Sequence, residues 1–306
     1  MAEIGPLIIL APPRSFTTVV CAMLGQHPQM YGLPETHLFT CATIGEWWML
    51  YRGTDRTQGL SRCLAEMVFG RQIPSAVKRA RQWLLQRSHL PTAEVLRVLM
   101  RCVEPRILVE KTPQATAEMA HMQRMVRAFP DARFLHLLRH PFGHVRSRLE
   151  RRLSASEIGE PEALLKAAQR LGRDPQLLWY RCHRNILAFL KTIPPGSHLQ
   201  IRGEDILNNP DQHLPKITRW LELRSGSAEI EQMTHPERSP FAGFGPENAR
   251  RGGDEKFFRH PALRPASRAS QPLDAPLPWR ADGAGFLPQI RELARQFGYA
   301  TEHISA

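Results

Sequence analysis

Short apolar runs alternate with longer helical patterns along most of the 306-residue chain, and this alternation restricts the possible folds most strongly. The predicted strands are Leu7–Ala11, Arg106–Glu110, Arg133–Leu138 and Leu199–Arg202. The predicted helices are Thr17–Leu24, Ala115–Ala128, Pro175–Lys191, Leu214–Leu221 and Phe286–Phe297. Strands that alternate with helices favour a parallel sheet with helices on both faces. We therefore predict an α/β fold with a central parallel sheet.

Two stretches fall outside this alternation. Residues 41–105 look entirely helical and are predicted to form a cap beside the sheet. Residues 235–285 are rich in Pro, Gly and Arg and are predicted to be a long surface segment. A chain of 306 residues fits one large domain or two ordinary ones. We predict one domain over residues 1–306, with the helical cap as an insertion.

Composition bears on partners and location. The formal net charge of +12 implies an anionic partner but does not identify it. Five cysteines without a CxxC pair make a poor disulfide framework and a poor zinc site, which predicts a reducing cytoplasm. The N-terminus does not resemble an export signal, and no stretch has the roughly 18 apolar residues of a spanning helix. We predict a cytoplasmic protein without a transmembrane segment.

The loop after the first predicted strand has the composition of an anion-binding site. It reads PPRSFTT over residues 12–18 and leads into a helix, whose first amides and dipole favour an anion. Thr17 and Thr18 add hydroxyl donors, and Arg14 adds a permanent charge. The loop lacks the glycines and the GK[ST] end of a Walker A motif. An ordinary strand-to-helix turn with a threonine cap is the alternative.

Two other strand ends carry cations. Lys111 lies in the sequence VEKTP, residues 109–113, and Arg139 follows the third predicted strand. Ser147 comes eight residues after Arg139, on a helix that begins at Pro141. Because ligands of parallel sheets bind beyond the carboxyl ends of the strands, Arg14, Lys111 and Arg139 can converge on one ligand.

These motifs together resemble those of sulfotransferases that use 3′-phosphoadenosine-5′-phosphosulfate (PAPS), including the sulfotransferase domains of polyketide assembly lines. The PRSFTT sequence resembles the family's PRSGTT loop, with Phe16 where glycine is usual. The EKTP sequence, the Arg139–Ser147 pair and Glu35 in an LPET context also match. Gly203 stands where the family usually has an aromatic residue. The resemblance implies a P-loop-NTPase-like sheet flanked by helices.

The resemblance also implies residue roles. The loop residues Arg14, Ser15, Phe16, Thr17 and Thr18 would bind the 5′-phosphosulfate. Arg139 and Ser147 would bind the 3′-phosphate, and Arg250 and Arg251 are candidates to close over it. Lys111 would approach the sulfuryl group, and Glu35 would be the general base, with His183 as the second choice.

The implied reaction is in-line transfer of a sulfuryl group to an acceptor hydroxyl or amine, with adenosine 3′,5′-bisphosphate (PAP) as the product. Positioning and charge stabilisation would supply most of the rate, so we expect no metal cofactor. The acceptor could be a small molecule, a lipid, a carbohydrate or a carrier-bound acyl chain. The sequence does not determine the oligomeric state.

Two other classes of protein compete with this interpretation. A nucleotide-dependent phosphotransferase could use a related sheet, although the sequence lacks a Walker A lysine–serine pair and an obvious partner for magnesium. A nucleic-acid-binding protein would explain the positive charge, but no helix-turn-helix, zinc finger or aromatic RNA platform is visible. We therefore expect no nucleic-acid partner.

Overall fold

The computed structural model describes residues 5–154, 156–158, 160, 162–266 and 272–299. The strands are β1 (Leu7–Leu10), β2 (Met30–Gly32), β3 (Ile107–Lys111), β4 (Arg133–Leu138) and β5 (His198–Arg202). The helices are α1 (Thr17–Leu24), α2 (Ile44–Tyr51), α3 (Gln58–Met67), α4 (Pro74–Leu85), α5 (Thr92–Arg101), α6 (Met119–Ala128), α7 (Pro141–Glu150), α8 (Ala163–Leu171), α9 (Gln176–Leu190), α10 (Gly203–Asn208), α11 (Pro210–Trp220), α12 (Ser227–Met233), α13 (Glu255–Arg259) and α14 (Pro288–Gln296). Short 3₁₀ turns occupy Leu38–Thr40, Asp55–Thr57, Pro113–Ala117, Pro236–Arg238 and Glu247–Ala249.

The five strands form one parallel sheet in the order β2-β3-β1-β4-β5. Four of them were predicted, each within one residue at either end. Strand β2 was missed because it has only three residues, between the His27-Pro28 turn and Pro34. In this order β1 lies between β3 and β4, so the loops that follow these three strands meet at one edge of the sheet.

Both faces of the sheet are covered, as a continuous apolar strand requires. Successive side chains of β1 point to opposite faces, so Ile8 and Leu10 belong to one apolar cluster and Leu7 and Ile9 to another. The first cluster includes residues of α2, α3, α5, α6 and α9, and the second includes residues of α1, α11 and α12. The helices between residues 41 and 105 therefore share a core with the sheet.

The stretch 235–285 differs from the predicted long surface segment. Within its described residues, Phe257, Phe258, Leu273 and Trp279 are buried, and α13 forms near its middle. The Pro, Gly and Arg content suggested exposure. However, Phe257 and Phe258 pack in one apolar cluster with residues of α1, and Leu273 and Trp279 pack in another with residues of α7. This stretch therefore covers part of the carboxyl edge of the sheet.

Within the described residues, no helix combines the length and apolarity needed to cross a membrane.

Candidate active site

A cavity of about 1110 Å³ opens at the carboxyl edge of the sheet. Its wall consists of the loop after β1, the residues after β3, β4 and β5, one side of α7, and the segment 251–257. Nine residues predicted for the site from sequence line this wall: Arg14, Ser15, Phe16, Thr17, Thr18, Glu35, Arg139, Ser147 and Arg251. Lys111 does not line the wall itself but contacts Thr18 and Glu35, which do. The topology thus brings together residues that are far apart in the chain.

The loop before α1 has an unusual backbone. Arg14 and Phe16 both have positive φ angles, 71° and 62°. A positive φ is uncommon for bulky side chains, and here it turns the chain sharply into α1. Phe16 is the N-cap residue and has no side-chain acceptor for the amides of the first turn. Those amides remain suited to an anion, and the buried Ser15 hydroxyl has no hydrogen-bond partner within the described residues.

Arg14 and Arg139 are connected beside this loop. Arg14 Nε donates a hydrogen bond to Ser147 Oγ over 3.1 Å, and its Nη1 lies 2.9 Å from Asp254 Oδ1. Arg139 Nη1 donates to the Arg14 carbonyl, and the Arg139 guanidinium lies 4.1 Å from the centre of the Phe16 ring. Burial lowers the pKa of Arg139 to about 10, so it remains cationic at neutral pH.

A buried ion pair lies under the other side of the loop. Lys111, only 1% exposed, places Nζ 2.9 Å from Thr18 Oγ1 and 3.2 Å from Glu35 Oε1. The second Glu35 oxygen lies 3.6 Å from His37 Nε2. Burial raises the pKa of Glu35, but the charge of Lys111 and its hydrogen bond to Glu35 outweigh burial and hold this pKa below its ordinary value. Glu35 is therefore ionised at neutral pH and can accept a proton.

Glu110 anchors the chain around this pair. It is fully buried, and its Oε1 accepts hydrogen bonds from Thr36 Oγ1 and Thr112 Oγ1. The Thr112 hydroxyl oxygen in turn accepts from the backbone amide of His37. Burial raises the pKa of Glu110. This network ties residues 35–37 to the end of β3, where Lys111 lies.

A model of the sulfotransferase family matches residues 6–226. The chain belongs to the sulfotransferase family. No curated protein matches the chain. The predicted membership of the sulfotransferase family is confirmed, and with it the prediction that the chain is an enzyme.

Two solved structures resemble this sulfotransferase over nearly its whole length. The sulfotransferase domain from the curacin biosynthetic pathway has a TM-score of 0.76 and 21% identity, over 98% of this chain and 99% of that one. The sulfotransferase domain from the Synechococcus PCC 7002 olefin synthase has a TM-score of 0.74 and 24% identity, over 98% and 97%. The predicted P-loop-NTPase-like parallel sheet flanked by helices is confirmed.

The two late arginines of the sulfotransferase have different positions. Arg251 lines the cavity, where it pairs with Asp55 at 3.0 Å and Glu255 at 2.9 Å. Arg250 lies outside the cavity wall, and its guanidinium stacks 5.2 Å from the centre of the Phe244 ring. Of the two predicted arginines, Arg251 thus lies in the cavity wall, whereas Arg250 does not line it. Arg250 directly follows the 3₁₀ turn Glu247–Ala249 and has helical backbone angles, φ −70° and ψ −30°.

His183 is also placed away from the cavity. It is fully buried on α9, where its Nδ1 lies 2.9 Å from His136 Nε2 and its ring packs on Trp179 and Phe297. Burial lowers its pKa well below the ordinary value. The prediction of His183 as a second candidate base is wrong, because this side chain cannot reach an acceptor in the cavity.

Sequence reasoning missed many residues of the cavity wall, and two of them, His37 and Asp254, contact predicted site residues directly. His37 lies beside Glu35, and burial lowers its pKa to about 4, so its imidazole is neutral at neutral pH. Asp254 pairs with Arg14, and its backbone amide donates to Thr18 Oγ1. In the sequence, the only signal for His37 was its position two residues after Glu35. Asp254 had no such signal, because its partner Arg14 lies 240 residues away in the chain.

Two glycines hold the backbone at Glu35. The Glu35 amide donates to the Gly252 carbonyl over 2.7 Å. A Cβ on Gly59, in α3, would lie within 3 Å of the Glu35 carbonyl carbon and closer still to its oxygen. The cap and the segment 251–257 therefore approach the Glu35 backbone closely, and they do so at Gly59 and Gly252, which have no side chain.

Replacing Gly59 by alanine should displace Glu35 and lower kcat by about a hundredfold, because shifts of about 1 Å in positioned groups have effects of this size. Steady-state turnover measures the loss. Gly243→Ala is the matched control, since a Cβ there meets nothing within 4 Å. Equal turnover of the Gly59 and Gly243 variants would contradict the close approach.

Proposed function

We propose that this sulfotransferase takes its sulfuryl group from PAPS and transfers it to a hydroxyl or amine, releasing PAP, in a single domain over residues 1–306. The observation that carries the proposal is the convergence of Arg14, Lys111 and Arg139 from three neighbouring strand ends. Together with Ser147, they offer donors for the two anionic ends of such a nucleotide. The unpartnered Ser15 hydroxyl and Arg139 Nε among the described residues support the fit.

The proposed binding mode uses the two sides of the loop. The first turn of α1, with Ser15, Thr17 and Thr18, would receive the 5′-phosphosulfate. Arg139 and Ser147 would receive the 3′-phosphate, with Arg251 at the rim. Arg14 now pairs with Asp254, and it would exchange this carboxylate for a donor phosphate when the nucleotide binds.

The transfer step balances with the groups in the cavity. The acceptor oxygen or nitrogen forms a bond to sulfur while the bond between sulfur and the leaving phosphate oxygen breaks. Glu35 accepts the proton that the acceptor loses. Lys111 and Arg14 stabilise the charge that develops on the transferring oxygens and the leaving phosphate. No step requires a metal cofactor.

We propose that the acceptor is a small molecule, a lipid, a carbohydrate or a carrier-bound acyl chain. The similar solved structures are domains of biosynthetic systems, which supports an acceptor made by such a system. We also propose a cytoplasmic location, because all five cysteines are free thiols and suit a reducing compartment.

Transfer of radiolabelled sulfate tests the proposal. The protein is incubated with ³⁵S-labelled PAPS, a fractionated metabolite pool of the host and a metal chelator. We expect a labelled product besides free sulfate, formed at the same rate with and without chelator. Labelled phosphate transferred from ATP in the presence of magnesium would instead indicate the phosphotransferase alternative.

Arg139→Ala should weaken PAP binding by about 10- to 100-fold, because a buried charge-assisted pair with the 3′-phosphate is lost. Isothermal titration calorimetry measures the affinity. Arg133→Ala, at the opposite end of the same strand, is the matched control and should bind PAP as the unmodified protein does. An unchanged affinity of Arg139→Ala would remove Arg139 from the site.

A further inference from the structure

The ring of Phe16 occupies an enclosed position beside the cavity. It projects from a residue with a φ of 62°, and it lies between the start of α10 and the Arg139 guanidinium. A left-handed backbone at a bulky residue is found where surrounding contacts maintain it, and such residues concentrate at functional sites. The contacts that maintain Phe16 therefore indicate what its side chain does.

Gly203 makes room for the ring. A Cβ at this position would lie 2.6 Å from Phe16 Cδ2 and 3.3 Å from the Leu138 carbonyl oxygen. Gly203 is not among the residues with a positive φ, so its backbone would accept any residue. The absence of a side chain is needed there chiefly for the Phe16 ring.

Arg139 is the group on which the ring acts. Its side chain is half-buried and makes no ion pair with a carboxylate within the described residues. One of its nitrogens donates to the Arg14 carbonyl, and its buried Nε has no hydrogen-bond partner in the part of the chain that the structure describes. The face of an aromatic ring attracts a guanidinium, and more strongly when water is excluded. The ring and the Arg14 carbonyl are thus two contacts that hold this guanidinium in place.

We propose that Phe16 is a positioning residue: seated over Gly203, it holds the Arg139 guanidinium toward the cavity, so that the enzyme distinguishes a nucleotide with a 3′-phosphate from one without. This inference rests on the proposed function. Under the proposed function the loop binds phosphate directly. The Phe16–Gly203 contact would have a further role, the selection of nucleotides that carry a 3′-phosphate.

The test is the ratio of the dissociation constants of 5′-AMP and PAP, measured by calorimetry. We expect Phe16→Leu, which keeps an apolar side chain but lacks the aromatic face, to reduce this ratio about tenfold. Phe16→Tyr should retain it. Gly203→Ala should also reduce the ratio, because the added methyl group displaces the ring.

A double-mutant cycle isolates the contact. In a Phe16→Gly background, Gly203→Ala should change the ratio by less than about twofold, because the ring that it would displace is gone. Thermal unfolding of each variant shows whether the variant is folded. If Phe16 had only a structural role, its replacement would weaken the binding of PAP and of 5′-AMP equally and leave the ratio unchanged.

The outcomes separate the two proposals. An unmodified protein that binds PAP no better than 5′-AMP would overturn the proposed function. An unmodified protein that prefers PAP, with Phe16→Leu and Gly203→Ala variants that keep this preference, would overturn the positioning role while leaving the proposed function intact.

Discussion

Replacing Lys111 by methionine is expected to lower kcat by about a thousandfold. Methionine has a similar length but no charge, so it removes the ammonium that lies 2.9 Å from Thr18 Oγ1 and 3.2 Å from Glu35 Oε1. A buried cation next to the developing charge stabilises a transition state far more than it would in water. Steady-state turnover with saturating PAPS measures the effect.

The same substitution should change the pH dependence of the residual activity. Glu35 has a pKa below its ordinary value because Lys111 outweighs burial, so with Glu35 as the proposed base we expect the activity of the unmodified enzyme to fall only as the pH drops through that lowered value. Without Lys111, burial raises the pKa of Glu35, and the acidic limb moves to higher pH. If the acidic limb of the pH–activity profile of Lys111→Met stayed at the pH of the unmodified enzyme, this would contradict the effect of Lys111 on the pKa of Glu35.

Lys166→Met serves as the matched control for both measurements. Lys166 is an exposed residue of α8 that pairs with Glu162 at 3.6 Å, away from the cavity. We expect its turnover and its pH profile to equal those of the unmodified enzyme, because exposed ion pairs contribute little.

Glu35→Gln is expected to lower kcat by about 10²- to 10⁴-fold, the range typical of a lost general base. The amide keeps the shape of the side chain but cannot take the acceptor proton. PAP binding should survive, since the role proposed for Glu35 is to take a proton from the acceptor rather than to bind the nucleotide. Glu46→Gln on α2 is the control, and near-normal turnover of Glu35→Gln would remove Glu35 from the mechanism.

Strands β1, β3 and β4 could be predicted because each contains a short apolar run that is buried on both faces. Strand β5 is more exposed, and β2 was missed because its three residues are too few to form a pattern. Helix α1 was predicted at its observed bounds, because the turn-forming loop before it and Gly25 after it mark both ends. The cap could be predicted as helical, but its shared core with the sheet depends on long-range packing.

The candidate site was predictable where a residue follows a strand, as Arg14, Lys111 and Arg139 do. The positions of Arg250 and His183 depend on which way a side chain points, and neither a segment without regular structure nor a lone helical histidine shows this in sequence. The fit of the Phe16 ring over Gly203 joins residues from opposite halves of the chain. Such contacts arise from tertiary packing alone.

Calorimetric titration of the unmodified protein with PAP and with 5′-AMP shows whether one cavity binds both phosphate ends of the sulfate donor. We predict one PAP bound per chain, with an affinity at least about tenfold higher than that of 5′-AMP, since the 3′-phosphate adds charge-assisted hydrogen bonds. No binding of PAP, or equal affinities for the two nucleotides, would contradict it.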